Sequence, residues 1–173
     1  MIKEKCTSYV LHLWLNKFNI QITSEHWLTV IRATKETRLR ALHWKILHNI
    51  YPTNILLSKM KVKENENCEW CNCTDYMEHF FVECKKVKNL WKEIEIRLQI
   101  CAGQKLNLKE SDILLGFNSI NLTQQQVNFI NHVILIGKLT VSKFKYGKMG
   151  DIIFIFEKEI CMRSVSFDNF PVI

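Results

Sequence analysis

Residues 68–84 read CEWCNCTDYMEHFFVEC, and this stretch decides how the rest of the chain is organised. Two residues separate Cys68 from Cys71, four separate His79 from Cys84, and seven lie between the two pairs. Three thiolates and one imidazole complete a tetrahedral zinc shell and leave no position open for water. A closed shell is typical of structural zinc, whereas catalytic zinc keeps one position free. The spacing therefore predicts one structural Zn²⁺ ion held by these four side chains.

Cys73 is a fifth ligand-type residue in the same stretch and could replace Cys71, although we expect it to be a spare thiol. The alternative is that these are scattered core cysteines and one satisfied histidine. Four ligand-type residues at metal spacing within 17 positions disfavour that interpretation. The chain has seven cysteines, an odd number that argues against a fully paired disulfide framework. We expect an intracellular setting, nucleus or cytoplasm, where unpaired cysteines favour metal binding.

The composition predicts a globular chain without a membrane segment. Of its 173 residues 47% are hydrophobic and 24% charged, with two prolines and five glycines. The apolar run near the start is interrupted by His12 and precedes no small-residue cleavage site, so we do not interpret it as a signal peptide. No apolar run reaches the length of a membrane span. We expect neither a membrane partner nor a small-molecule substrate.

The positive charge is concentrated ahead of the cysteine stretch. The net charge is +7, and residues 1–63 carry 11 Lys and Arg against three Asp and Glu. Residues 64–122 carry seven against ten, and residues 123–173 carry six against four. A cationic segment of this kind favours contact with phosphate, although a basic surface can also serve solubility alone.

Within that cationic segment, basic and aromatic residues alternate on one side of a predicted helix. Arg40, Trp44 and His48 follow one another at intervals of four, and Arg38 and Lys45 flank them. Such a surface could hold a nucleic-acid backbone and stack a base. The alternative is that Trp44 belongs to the core and Arg40 lies over it.

Apolar residues recur at helical spacing along most of the chain, which predicts an all-α fold of short helical layers around the zinc segment. We divide it into a basic helical segment (1–62), the zinc segment with the helix after it (63–100) and C-terminal helices (101–173), together one compact unit. Residues 18–22 could form a strand or an extended connector. Helices are expected at 7–18, at 25–50 with a break near 34–37, at 55–60, from the residue after Cys84 to 99, at 111–115, 123–146 and 151–164.

The zinc segment and its flanks resemble the zinc-binding region that follows the reverse-transcriptase domain in non-LTR (LINE-type) retrotransposon polyproteins. The likeness is strong over residues 38–95 and looser afterwards. The cysteine stretch differs from the retroviral zinc knuckle, in which four residues, rather than seven, separate the second cysteine from the histidine. The matching motifs are HWKILH at 43–48, Tyr51-Pro52-Thr53, Leu57 to Met60, CEWC at 68–71, EHFF at 78–81 with Cys84, Leu90-Trp91 and LLGF at 114–117.

The resemblance implies a module that binds template RNA or target DNA, supports target-primed reverse transcription and contacts the upstream polymerase domain. The polymerase chemistry itself is not expected here. Two-metal nucleotide transfer needs closely placed carboxylates, and the chain has only four aspartates, none next to another. We therefore expect a non-catalytic fragment of such a polyprotein.

Two other functions are compatible with the same residues. A zinc-stabilised helical platform could dock on the polymerase or on a host protein without touching nucleic acid. A thiol or metal enzyme is disfavoured, because the histidine completes a closed ligand set and is not left to activate a nucleophile.

Overall fold

The computed structural model describes residues 12–147 and 150–171, and the predicted all-α fold is confirmed. Within these residues no β-strand forms, and the only bridge is an isolated antiparallel pair between Asn67 and Thr74. A π-helical turn at His79–Glu83 and a 3-10 turn at Phe167–Asn169 complete the helical elements. The α-helices are α1 (12–18), α2 (Ser24–Ala33), α3 (Thr37–Leu47), α4 (Asn54–Lys59), α5 (Lys88–Ala102), α6 (Glu110–Leu115), α7 (Gln124–Gly147) and α8 (Ile152–Met162).

Helix α7 is the centre of the molecule. It packs against α2, α3, α5 and α8, and its buried residues point in more than one direction, as the stray apolar positions of its sequence predicted. Its start is fixed by reciprocal bonds, in which Thr123 N donates to Gln126 Oε1 and Gln126 N donates to Thr123 Oγ1. Gly137 lets α5 approach closely, since a Cβ there would lie 2.8 Å from the ring of Trp91.

The break predicted near 34–37 separates α2 from α3. Thr34 ends α2 in an extended conformation, with φ −152° and ψ 149°. The carbonyls at this end are bonded by Arg40, whose Nε donates to Thr34 O at 2.7 Å and whose Nη2 donates to Ile31 O at 3.0 Å. The chain therefore forms two shorter helices. The Arg40 side chain bonds carbonyls that a single long helix would bond through its own backbone.

Helix α1 docks on the end of α3. Trp14 is fully buried, and its indole Nε1 donates to Leu47 O at 2.8 Å. Of the predicted helix at 7–18, residues 7–11 lie outside the described part of the chain. The start of the apolar run that we do not interpret as a signal peptide lies outside it as well. Residues 20–23 form an extended connector rather than a strand.

One hydrophobic core draws side chains from each of the three predicted segments, among them Leu39, Phe81, Ile94, Ile136 and Phe156. The division at 62 and 100 is therefore not visible as a gap in the packing. None of the helices in the described ranges combines the length and apolar character that crossing a membrane requires.

Candidate metal centre

A tight turn positions the first two cysteines. Cys68 N donates to Cys73 O and Asn72 N donates to Cys68 O, both at 2.8 Å, so the chain doubles back within five residues. Asn72 has a φ of 55°, in the left-handed region that asparagine tolerates better than most residues. Trp70, inside the turn, stacks on Phe144 of α7 at 5.2 Å between ring centroids. The turn is thereby anchored to the central helix.

The π-helical turn positions the second pair. Cys84 N donates to His79 O at 3.1 Å, a bond from residue i+5 to residue i. In a regular α-helix, residues five apart point about 140° away from each other. A turn closed at i+5 brings them to nearly the same side, so His79 and Cys84 can face one ion. The sequence placed both residues near a helix start but did not reveal this wider turn.

The four predicted side chains converge. The ligand atoms of Cys68, Cys71, His79 and Cys84 all lie within 4.8 Å of one another. The sulfur of Cys84 is 3.8 Å from that of Cys68 and 3.7 Å from that of Cys71. Zn–S bonds of about 2.3 Å in a tetrahedron place two sulfurs about 3.8 Å apart, whereas a disulfide needs about 2.0 Å. The cluster thus fits one structural zinc ion and not a disulfide.

The histidine is oriented as a ligand. Its Nδ1 lies 3.3 Å from Asp75 Oδ1, while its buried Nε2 has no hydrogen-bond partner among the described residues. A buried nitrogen without a partner is unfavourable unless something else, here a metal ion, occupies that direction. Zinc-bound histidines usually donate their other N–H to a carboxylate, which fixes the ring. Asp75 supplies that carboxylate and in turn accepts from Lys145 of α7 at 2.9 Å.

Burial shifts the pKa values of two members of the cluster, Cys84 and His79. It raises the pKa of the Cys84 thiol to about 12. Burial, together with the nearby Lys145 charge, lowers the pKa of His79, which keeps its imidazole neutral as a ligand requires. A coordinated zinc ion removes a thiol proton outright, so protons and metal compete for this site.

Cys73 lies outside the converging set. Its side chain is exposed, and its sulfur is 3.8 Å from Nδ1 of His79, the nitrogen that faces Asp75. Local desolvation, together with the neighbouring Cys71 and Cys68 thiols, raises the pKa of the Cys73 thiol. The position agrees with a spare thiol.

Residues 9–91 match the family model described as zinc-binding in reverse transcriptase. This part of the chain is therefore similar to the zinc-binding region of reverse transcriptases. No curated protein matches the chain. The matched range contains the whole Cys3His cluster and ends at Trp91, which lies in α5 and donates its indole N–H to Phe81 O. The match and the Cys3His cluster both point to zinc binding by this region.

Helix α3 carries the residues predicted to contact nucleic acid. Arg38 and Lys45 are exposed, and Trp44 is 50% exposed, so the alternative that Trp44 is a core residue is wrong. Its ring lies 4.2 Å from that of His48, whose Nδ1 is 2.9 Å from Trp44 O. Arg40 has a different role in the structure, because its guanidinium donates hydrogen bonds to the Thr34 and Ile31 carbonyls at the end of α2. We call Arg38, Trp44, Lys45 and His48 the α3 face.

Sequence reasoning missed two buried lysines. Lys145 pairs with Asp75 beside the metal cluster, and Lys138 Nζ lies 2.8 Å from Nδ1 of His43 in α3. Asp75 had a local signal, since it precedes His79 by one helical turn. The lysines had none, because they lie 70 and 95 residues from their partners.

Proposed function

We propose that this chain is a non-catalytic, zinc-stabilised module that binds RNA or single-stranded DNA for a reverse transcriptase of the LINE type. The observation that carries the proposal is the α3 face, where Arg38, Trp44 and Lys45 stand exposed on α3 and His48 lies half-buried at its C-terminal end. Arginine and lysine attract phosphate, and exposed aromatic rings stack bases. Template RNA or target DNA is the expected ligand, and the upstream polymerase domain the expected partner.

The acidic group nearest in sequence to the α3 face does not oppose this role. Glu36, just before α3, is held by both the Nε and the Nη2 of Arg163 at 2.7 and 2.8 Å. Helix α3 itself contains no Asp or Glu. The carboxylate nearest in sequence to this surface is therefore already paired with a cation.

Gel shifts with single-stranded RNA at two salt concentrations test the proposal. Each phosphate contact contributes about −0.7 to the slope of log affinity against log salt for single strands. Arg38→Gln with Lys45→Gln should therefore make the slope shallower by roughly 1.4. The control is Lys105→Gln with Lys158→Gln, which removes the same charge from exposed positions outside α3. Undetectable binding by the unmodified chain at low salt rules the proposal out.

We further propose that Cys68, Cys71, His79 and Cys84 are the ligands of the zinc ion. Native mass spectrometry should find one zinc per chain, lost in Cys68→Ser and in His79→Ala. Cys73→Ser is the matched control, because it removes a neighbouring thiol outside the cluster, and it should keep the ion. Retention of zinc in His79→Ala together with its loss in Cys73→Ser would assign the fourth ligand to Cys73 instead.

A second candidate function is docking to a protein. Ile96 and Ile100 lie one turn apart on α5 and are 52% and 74% exposed. Apolar residues adjacent on a helix surface are suited to a partner helix or sheet. Co-purification with the polymerase domain that survives high salt and is lost in Ile96→Ser with Ile100→Ser would favour this function.

A further inference from the structure

A cavity of about 740 Å³ opens between α2 and α3, beside the α3 face. Its walls are mostly apolar and include Trp27, Ile31, Ala41 and Trp44. The volume falls in the range of small-ligand sites, which extends from about 300 to about 1,000 Å³. The two tryptophans give it aromatic walls, and both contact the ring of His48, at 4.9 Å from Trp27 and 4.2 Å from Trp44.

Thr37, Arg40 and His43 are the polar residues of this apolar wall, and His43 is the buried one. His43 is 2% exposed, and its Nε2 has no hydrogen-bond partner within the described ranges. Its other nitrogen, Nδ1, is 2.8 Å from Lys138 Nζ, which has hydrogens to donate in either charge state. A neutral imidazole that accepts at Nδ1 carries its own hydrogen on Nε2. His43 therefore contributes to the cavity wall a buried ring nitrogen, Nε2, that has no partner within the described ranges.

The charges around the cavity indicate what would enter it. Arg38 and Lys45 lie three residues before and four residues after Ala41, so all three share one side of α3. Among the described residues that line the cavity there is no Asp or Glu. An occupant that combines a flat apolar body, a hydrogen-bonding edge and an attached negative chain satisfies all of these features. An unpaired base on a nucleic-acid strand is such an occupant.

We propose that the α2–α3 cavity receives one unpaired nucleobase, which stacks on Trp44 and forms a hydrogen bond with Nε2 of His43, while Arg38 and Lys45 hold the adjoining phosphates. This inference rests on the proposed nucleic-acid binding and adds a specific pocket to it. Only a base outside a duplex can enter, because a paired base is held in the stack.

Fluorescence anisotropy with two strands of equal length tests the pocket, one an oligodeoxythymidylate and the other an abasic oligonucleotide with the same phosphates. The unmodified chain should bind the base-bearing strand about 5- to 100-fold more tightly, the range that one stacked base provides. Trp44→Ala should remove that preference, so that the base-bearing strand binds no more tightly than the abasic one. Ala41→Leu, which fills the cavity from an exposed position, should do the same. Phe154→Ala removes an exposed aromatic ring from α8 and should keep the preference.

The outcomes separate the pocket from the general function. Equal, salt-sensitive binding of both strands by the unmodified chain overturns the pocket and leaves the proposed function standing. No binding of either strand at low salt overturns both. Polyglutamate is the competitor that tests an acidic peptide as occupant. If it competes as strongly as the oligonucleotide does, and loses that effect in Trp44→Ala, the cavity binds an acidic peptide and the proposed base is overturned. A 5-iodouracil strand should crosslink to Trp44 or Trp27, and crosslinks confined to other helices contradict the pocket.

Discussion

Replacing Lys145 by Met is expected to destabilise the fold and weaken zinc binding together. The side chains of Lys145 and Asp75 are 4% and 2% exposed, and Nζ lies 2.9 Å from Oδ1. The ammonium also lies 4.4 Å from the centre of the Phe80 ring. Met preserves most of the apolar stem but leaves the Asp75 carboxylate buried beside His79 without its cation. Breaking a buried pair in this way costs about 3–5 kcal/mol of unfolding free energy.

That loss corresponds to a fall in melting temperature of roughly 6–20 °C for a domain of this size. Because Asp75 orients the His79 ring, we also expect zinc affinity to fall about 10- to 100-fold. Urea unfolding at saturating zinc measures the first quantity, and competition with a chromophoric chelator measures the second. Asp75→Asn should behave similarly, since it leaves the lysine buried and unpaired.

The double variant decides whether the pair is the cause. Asp75→Asn with Lys145→Met removes both charges, so its loss of unfolding free energy should be smaller than the sum of the single losses by about 1–3 kcal/mol. Lys143→Met is the control on the same helix: it removes an ion pair to Glu159, which keeps Arg163 as a second partner. Additive single losses, or a Lys145→Met protein as stable as the control, would refute the reasoning.

Three further predictions concern α7 and its neighbours. Gly137→Val should lower stability by about 1–3 kcal/mol by overpacking against Trp91, whereas Gly147→Ala, with open space around its Cβ position, should be neutral or slightly stabilising in thermal melts. A chain ending at residue 102 lacks α7 and should lose its cooperative unfolding transition in circular dichroism, even with zinc present. Burial and the neighbouring Lys138 lower the pKa of His43 well below its usual value. The folded state thus binds this proton less readily than the unfolded state, so stability should fall as pH drops below about 6.5. Histidine NMR should show the signals of one imidazole that stays neutral below about pH 6.5. Those signals should be missing in His43→Gln.

The metal cluster could be predicted because its information is local. All four side chains lie within one short stretch, and the chemistry of their atoms restricts which ion they suit. The helices could be predicted for a similar reason, since apolar periodicity records which side of a helix is buried. The break before Thr37 and the burial of α7 on several sides were both visible in this way.

What the sequence concealed depends on contacts between distant residues. The spacing of Arg40 from Trp44 indicated one surface, but not that α2 would end within reach of the Arg40 guanidinium. In the π-helical turn at His79–Glu83 the hydrogen bond joins residues five apart, whereas in an α-helix it joins residues four apart. The spacing of apolar residues over only five positions cannot distinguish these two patterns. The lysine pairings required knowing where α7 packs.

The two buried lysines explain why a zinc-binding segment needs helices beyond it. Lys138 and Lys145 are seven residues apart, about two turns, and therefore lie on one side of α7. Lys145 reaches Asp75 beside the metal cluster, and Lys138 reaches His43 at the wall of the α2–α3 cavity. Both partners lie within residues 9–91, whereas α7 lies beyond them. The metal cluster and the cavity thus share one rigid support from outside the matched region, so a change in the position of α7 should alter zinc affinity and base preference together.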